Sequence, residues 1–505
     1  MLVVAGQAAF AQEVVELRQQ NSNKIVIKLR FINGSITDPA GKEGITNLTA
    51  KVLAAGGTKD LTSTQINDML YPMAISYYST TDKEVTYFTF ETPSDFIGKF
   101  YPVMRDLMLN PRFDESDFTR IKSNHQNYVD QVIRSSSDEE YGKKALENQI
   151  FRGTNYQHLV QGTSSGVKSI TLEDVKNHYK TYFTSKNLMI GIAGNYTPEF
   201  LAMLKADLNK LPQVMPELPK PGTARQPDGL EVEIISKENA LGSAVSAGFP
   251  LAITRSSDDF AALMIANSWL GEHRKSYSKL YQKIREQRSM NYGDYSYIEW
   301  YENGGQNMLP QPGYPRSSNY FSIWIRPVQT AKGLKDQYTE LADLKTGHAQ
   351  FAIRMAIREM DQLVKNGLSK EDFDLTKTFL ISYMKLYIQT PAKQLGYLMD
   401  SRFYGRKDYI NEMDALLKKV TVEQVNAAIK KYWQTQNMFI TIVTDTSEAE
   451  ELSKSLKDNT PSPMSYSASL KAGMPKTILD EDDQVSTYKL NVKSVKIINS
   501  TDTFR

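Results

Sequence analysis

The chain of 505 residues contains no cysteine. Disulfide bonds, thiol nucleophiles and thiolate metal sites are therefore excluded. The absence also suits an oxidising compartment, where a stray thiol is a liability. Histidine is scarce too, and no two histidines are three or four residues apart, the spacing that places two ligands on one helical face. We expect all five to be structural or exposed: His125, His158, His178, His273 and His348.

Long apolar runs and an excess of charge of either sign are also missing. The 60 basic and 58 acidic residues give a net charge of +2, so nothing favours nucleic acid or an anionic membrane as a partner. No stretch approaches the ~18 apolar residues that a membrane span requires. The sequence contains no phosphate-binding loop, serine nucleophile elbow or dinucleotide fingerprint. Its composition is that of a soluble globular protein, and its length suits about two to four domains.

The first residues resemble the end of a secretory signal. Leu2-Val3-Val4-Ala5 begins a short apolar stretch that ends in Ala9-Phe10-Ala11, a small-x-small pattern before Gln12. We predict that residues 1–11 are the remnant of a signal peptide, although no basic region precedes them. The protein would then be periplasmic or otherwise exported in a bacterium. The alternatives are an apolar disordered terminus and a membrane anchor.

An internal repeat organises the rest of the chain. Residues 170–192 match residues 420–442 without gaps, and eight pairs are identical, among them Thr171 with Thr421. Both threonines are predicted helix N-caps followed by an acidic residue in the first turn. Two shorter matches precede each copy: Asp117-Phe118 and Lys122 with Asp372-Phe373 and Lys377, and Phe151-Arg152-Gly153 with Phe403-Tyr404-Gly405. A repeat of this length predicts two homologous α+β domains and not a solenoid.

The domain boundaries follow from this repeat. We predict an N-terminal domain over 12–211, a linker with five prolines over 212–228, a C-terminal domain over 229–456 and a polar tail over 457–505. In the tail, Tyr488–Ile498 alternates like a strand that docks on the body. The other predicted strands and helices are Lys24–Gly34, Gly44–Ala55, Ser76–Thr92 (two strands joined near Asp82), Phe96–Leu109, Glu115–Ile133, Ser136–Phe151 and the strand Tyr320–Arg326.

The helix over Gly44–Ala55 has a distinctive arrangement. At ~100° per residue, Ile45, Leu48 and Val52 fall on one stripe. Asn47, Ala50 and Lys51 then fall together on the opposite face. By itself this pattern predicts an ordinary core-packed helix whose outer face carries these three residues.

Together with the tandem halves and the Pro-rich linker, this helix resembles the zinc-binding helix of the insulinase-like (M16, pitrilysin-type) metallopeptidases. The resemblance covers about residues 20–455. It implies two tandem αβ domains of the LuxS/MPP-like metallohydrolase type, forming half of a clam-shaped chamber. The family requires His-x-x-Glu-His, whereas this chain has Asn47-x-x-Ala50-Lys51. The family's third ligand, a glutamate on a later helix, is missing from the matching window Gln126–Val129.

The missing ligands imply a subunit that does not bind zinc. An amide is a poor zinc ligand, a methyl group offers no lone pair, and an ammonium repels a dication. We therefore expect no metal and no cofactor in this chain, with zinc held by a partner that carries His-x-x-Glu-His.

A second motif resembles the part of the family's site that binds substrate. In the family, an arginine followed seven residues later by a tyrosine hydrogen-bonds the substrate backbone from the C-terminal half. Arg285 and Tyr292 match by position, and Arg288 is the alternative to Arg285. The spacing alone has little specificity. The insertion Trp300–Asn319, rich in proline and glycine, either lines the chamber entrance or is a passive surface loop.

The favoured function is a non-catalytic, substrate-binding subunit of a heteromeric M16-type zinc metallopeptidase that degrades peptides and unfolded polypeptides. It would be inactive alone, would supply Arg285 and Tyr292, and would form a hetero-oligomer, with a homodimer as the alternative. Two other hypotheses stay open: a catalytically dead scaffold or peptide-binding protein, and a self-sufficient hydrolase with an unrecognised metal site.

Overall fold

The computed structural model describes residues 13–301, 311–386 and 388–505, which form two mixed β-sheets with helices packed on them. The predicted signal peptide, residues 1–11, lies outside the described residues. The strands are β1 Glu13–Arg18, β2 Lys24–Phe31, β3 Ser76–Thr81, β4 Thr86–Pro93, β5 Leu188–Gly194, β6 Leu230–Lys237, β7 Ser243–Leu251, β8 Asp294–Tyr297, β9 Asn319–Val328, β10 Met438–Asp445 and β11 Val492–Asn499.

The two sheets have the same strand order. The first runs β1-β5-β2-β4-β3, and the second runs β6-β10-β7-β9-β8 with β11 added beside β6. In both sheets the first pair is parallel, β1 with β5 and β6 with β10, and the next pair is antiparallel. The predicted pair of homologous α+β domains is therefore confirmed.

Helices connect and cover the strands. Their bounds are α1 Ile45–Ala55, α2 Ser63–Leu70, α3 Ile97–Leu109, α4 Glu115–Asn127, α5 Ile133–Ser135, α6 Asp138–Ile150, α7 Ser164–Ser169, α8 Leu172–Tyr182, α9 Pro198–Leu208, α10 Phe260–Gly271, α11 Ala331–Gln337, α12 Ala349–Asn366, α13 Lys370–Met384, α14 Pro391–Phe403, α15 Tyr409–Lys419, α16 Val422–Tyr432, α17 Thr446–Asp458, α18 Ala468–Gly473 and α19 Lys476–Ser486. Two further turns, Tyr128–Val132 and Tyr281–Glu286, are π-helical. None of the helices in the described ranges is both long and apolar enough to cross a membrane.

The repeat is visible at the level of single hydrogen bonds. Thr171 and Thr421 cap α8 and α16 through capping boxes with Asp174 and Gln424, as their spacing predicts. Lys122 donates to the carbonyls of Lys168 and Ile170 at the end of α7. Its counterpart Lys377 donates to the carbonyls of Lys418 and Val420 at the end of α15.

The two halves exchange helices. α6, from the first half, packs on β7, β9 and β10 of the second sheet. α14, from the second half, packs on β1, β2 and β5 of the first sheet. Contact is close in both places: Gly191 of β5 has no room for a Cβ beside Met399 of α14. Each half therefore completes the core of the other.

The described end of the insertion, residues 311–319, lies between the halves. Arg316 is 1% exposed and donates to both carboxylate oxygens of Asp82 at 2.7 Å and to Glu147 at 2.7 Å. Lys83 pairs with the same Glu147 at 2.8 Å. These contacts exclude a passive surface loop for this part of the insertion, whereas residues 302–310 lie outside the described residues.

The polar tail contributes to the second half. β11 pairs in parallel with β6 at the edge of the second sheet, within the region of predicted strand alternation. α19 packs on α12, and Phe504 reaches the first half, where its ring lies 6.0 Å from that of Tyr141.

Candidate functional site

Helix α1, which carries Asn47, Ala50 and Lys51, lies between the first sheet and two other helices. Gly44 precedes it with φ 102°, and Asp38 accepts hydrogen bonds from the backbone N–H groups of Gly44 and Thr46 at 2.6 and 3.0 Å. Ile45, Leu48 and Val52 pack toward α4 and α8, whereas Ala50 and Leu53 belong to the core of the sheet.

The predicted outer face of α1 is therefore wrong for two of its three residues. Asn47 is 6% exposed and Ala50 is 0% exposed; only Lys51 reaches the surface. The periodicity of the large apolar residues shows one stripe, but a helix covered on two sides buries small residues as well.

The residues at these positions do not fit a zinc ion. Asn47 offers one amide oxygen, Oδ1, which is buried without a hydrogen-bond partner. Ala50 has no lone pair, and Lys51 brings a positive charge where the family places a ligand. Within residues 13–301, 311–386 and 388–505, no group of three or more His, Cys, Asp or Glu could hold a metal ion. One amide oxygen beside an ammonium does not make a tetrahedral site.

Lys51 opens onto a cleft of about 1120 Å³. Its walls carry two cations, Lys51 and Arg120, and no carboxylate among the lining residues. Strand β3, the last strand of the first sheet, forms one side through residues 76–79. Tyr128, from the window that lacks the family's glutamate, lines the cleft too. Arg120 is paired with Asp117 at 2.8 Å, so the lining consists chiefly of hydroxyl, amide and aromatic groups beside a sheet edge.

His125 is the residue of this cleft that sequence reasoning missed. It is buried, and its Nε2 donates to the carbonyl of Gln161. Its pKa is lowered to about 4: burial is the main cause and Lys51 adds to it, while the Gln161 carbonyl and Asp38 partly offset them. His125 is therefore neutral at pH 7. No spacing rule identifies it, because the cleft joins α4 to α1, α2 and β3, which lie far from α4 in the sequence.

Arg285 and Tyr292, the second predicted motif, do lie together. The Arg285 guanidinium carbon is 5.4 Å from the centre of the Tyr292 ring, within cation–π range. Both line a cavity of about 620 Å³. Tyr292 is 72% exposed, and Leu241, on the same cavity, is 96% exposed. The pair is accessible to another molecule.

Arg288, the alternative to Arg285, has a different role. Its guanidinium is buried and bonds Asp482 at 2.7 Å and Glu481 at 2.8 Å. These carboxylates already use the donors that a substrate would need, so Arg285 is the accessible arginine of the motif.

The structure does not bring the two candidate sites into one cavity. No lining residue is shared by the cleft at Lys51 and the cavity at Arg285. The first half does reach the second site, where Ser137 and Asp138 line the cavity. An arginine and a tyrosine without a metal beside them can bind a carbonyl but cannot activate water.

Models of one peptidase family match consecutive parts of the chain. Residues 14–164 match the model described as insulinase (peptidase family M16), and residues 169–325 match the peptidase M16 inactive domain. The non-peptidase homolog YmxG of Helicobacter pylori is 21% identical over 434 residues, which is 83% of this chain and 88% of that protein. A probable mitochondrial-processing peptidase subunit beta of Arabidopsis thaliana is 25% identical over 213 residues, 39% of this chain and 37% of that protein.

Solved structures show the same fold. A peptidase M16 inactive domain from Pseudomonas fluorescens superposes with a TM-score of 0.72 at 18% identity, covering 87% of this chain and 97% of that one. A protease from Helicobacter pylori gives a TM-score of 0.69 at 14% identity, with 86% and 97% covered.

Proposed function

Because this chain belongs to the insulinase-like M16 peptidase family, we propose that it is the non-catalytic, substrate-binding subunit of a heteromeric M16-type zinc metallopeptidase. Its partner would be a homologue that carries His-x-x-Glu-His and the zinc. The substrates would be peptides and unfolded polypeptides. One observation carries the proposal: Asn47, Ala50 and Lys51 occupy the metal-site positions, with only Lys51 at the surface, while Arg285 and Tyr292 stay paired and accessible.

The chemistry of the Arg285–Tyr292 pair suits a supporting role. A guanidinium and a phenol are donors that stabilise a developing oxyanion. Their effect is large only where water is excluded, and this cavity is open in the isolated chain. A partner that closes over it would supply both the metal and the water-poor environment.

The cleft at Lys51 supports peptide binding. β3 pairs with β4 on one side and ends the strand order of the first sheet. An extended peptide can add to such an edge through main-chain hydrogen bonds, which are independent of its sequence. Tyr78, 47% exposed at this edge, offers a ring for its side chains.

The test is reconstitution with the zinc-bearing homologue from the same genome. We expect no cleavage of an unfolded polypeptide by this chain alone, and cleavage when the two are mixed. Arg285→Ala should lower kcat of the mixture by about 10²-fold or more, the usual effect of losing one oxyanion donor. Arg112→Ala is the matched control, because Arg112 is exposed and lines neither cavity.

A catalytically dead scaffold is the second candidate, favoured by the match to a non-peptidase homologue and an inactive domain. It predicts that no mixture gains activity from this chain. Full activity of the Arg285→Ala mixture would reject the role given to Arg285.

A further inference from the structure

The segment that carries Arg285 and Tyr292 has little regular structure of its own. It begins as the π-helical turn Tyr281–Glu286 and continues as an irregular segment to Tyr292. Ser289, in the middle, has φ 52°, a left-handed conformation that costs a non-glycine residue energy. Within the segment, Ser289 N–H donates to the Arg285 carbonyl at 2.8 Å and Met290 N–H to the Ile284 carbonyl at 3.2 Å. A segment of this kind needs support from outside to hold one conformation.

Ion pairs on both sides of Arg285 provide that support. Lys283 pairs with Glu481 of α19 at 2.7 Å. Arg288 pairs with Glu481 at 2.8 Å and with Asp482 at 2.7 Å. Arg288 also donates to the backbone carbonyl of Lys283 at 2.7 Å, which links the two residues on either side of Arg285. The two carboxylates are adjacent on one helix, so a single element holds the segment on either side of Arg285.

α19 is itself anchored. It packs on α12, whose Arg358 lies 3.3 Å from Glu481. Tyr466 donates to Asp482 at 2.7 Å. The contacts are sheltered: the Arg288 side chain is 0% exposed and that of Asp482 is 7% exposed. Sheltered, multiply bonded ion pairs restrain geometry far better than exposed ones.

Glu481 stays charged over a wide pH range, whereas burial raises the pKa of Asp482 against the opposing effect of Arg288. Burial raises the pKa of Glu481, but its bonds to Lys283 and Arg288 outweigh burial and bring that pKa down to about 2. The guanidinium of Arg288 is charged at any pH at which the protein is folded.

We propose that α19 is a positioning element for Arg285 and Tyr292, with Glu481 and Asp482 as the residues that hold the segment between Lys283 and Tyr292. The role of α19 in substrate binding rests on the proposed function, whereas the restraint of the segment by α19 does not. It gives the polar C-terminal region a role at the substrate-binding cavity, which α19 itself does not line.

The restraint of the segment by α19 is tested by hydrogen exchange on the full chain, comparing wild type with the double variant Glu481→Gln/Asp482→Asn. We expect the amides of residues 284–292 to exchange about tenfold faster, because local opening becomes easier. Asp480→Asn/Asp483→Asn is the matched control: it removes the same two charges from the same helix, but both residues are exposed, and Asp480 pairs with Lys476 of α19 itself. Unchanged exchange at 284–292 in the double variant, or an equal rise throughout α12 and α19, would overturn the inference.

If the double variant is too unstable to study, Glu481→Gln alone keeps the Arg288–Asp482 pair and should give a smaller rise confined to the same residues. Binding supplies the second readout, with dye-labelled β-casein as the unfolded probe. We expect the double variant to bind about tenfold more weakly if the competent conformation falls to about a tenth of the population. Faster exchange with no casein binding by any form would uphold the restraint of the segment by α19 and reject the proposed function. Faster exchange with undiminished binding would overturn the positioning role.

Discussion

At the scale of single residues, the metal site is closed by packing as well as by chemistry. Ala50 lies in the core of the first sheet with no exposed surface, so a carboxylate at that position would have to be buried. Asn47 is nearly as buried, and its Oδ1 already lacks a partner. Restoring His-x-x-Glu-His by substitution would therefore disturb a packed helix.

His125, in the same cleft, gives a pH-dependent prediction. The unfolded histidine takes up a proton near pH 6.5, whereas the buried residue, with a pKa of about 4, does not. The unfolded state therefore binds more protons between these values, and stability falls with falling pH in that window. Relative to His125→Gln, the wild type should lose about 2 kcal/mol of unfolding free energy between pH 7.5 and 5.0.

Urea unfolding of both proteins at several pH values measures this difference. The glutamine amide can still donate to the Gln161 carbonyl, so the comparison isolates the titration. Between pH 7.5 and 8.5 the difference should be constant, since histidine is neutral in both states. Parallel curves from pH 7.5 to 5.0 would show that His125 is protonated in the folded protein.

At the scale of elements, the repeat preserves individual contacts and not only topology. Lys122 and Lys377 each bind two carbonyls at the end of the helix that precedes a capping-box helix. A helix end leaves carbonyls without intrahelical partners, and a lysine that satisfies two of them joins neighbouring helices. The same pair of lysine–carbonyl contacts appears in both halves at an offset of 255 residues.

Replacing either lysine by methionine should therefore have the same effect. We expect each substitution to cost about 1–3 kcal/mol, since charge-assisted bonds to carbonyls are lost. Denaturant unfolding measures the loss, and Lys370→Met is the control, because the Lys370–Asp374 pair is exposed and contributes at most ~1 kcal/mol. A large loss for one lysine with none for the other would contradict the equivalence of the two contacts.

Elements defined by local signals could be predicted from the sequence. The capping threonines, the helix α1 and the strands β3 and β4 joined near Asp82 all lie where the pattern places them. The family resemblance is confirmed as well. Strand β1 was not predicted, and neither was the burial of Asn47 and Ala50. These depend on which elements cover which faces, and a periodic pattern does not carry that information.

At the scale of the whole molecule, the two halves are joined by more than the linker. α6 and α14 each complete the other half's sheet, and Arg316 fixes the β3–β4 turn to α6. No sequence signal predicts this exchange, because the packed elements are far apart in the chain, as α6 Asp138–Ile150 is from β7 Ser243–Leu251. The predicted linker over 212–228 is only the covalent part of the connection.

Arg316→Met tests how much the buried junction contributes. The substitution leaves Asp82 without its bidentate partner, and Glu147 keeps its ion pair with Lys83. Removing one partner of a buried ion pair costs about 3–5 kcal/mol. Scanning calorimetry should show a large fall in Tm for Arg316→Met and almost none for Lys476→Met, whose pair is exposed. An unchanged Tm for Arg316→Met would mean that the junction does not hold the halves together.

Whether this chain supplies the catalytic metal is tested by calorimetric titration of the purified chain with zinc, followed by a peptidase assay on the same sample. We expect no saturable binding of one zinc per chain and no cleavage of an unfolded polypeptide. One tightly bound zinc ion per chain, together with cleavage by the isolated protein, would contradict this expectation.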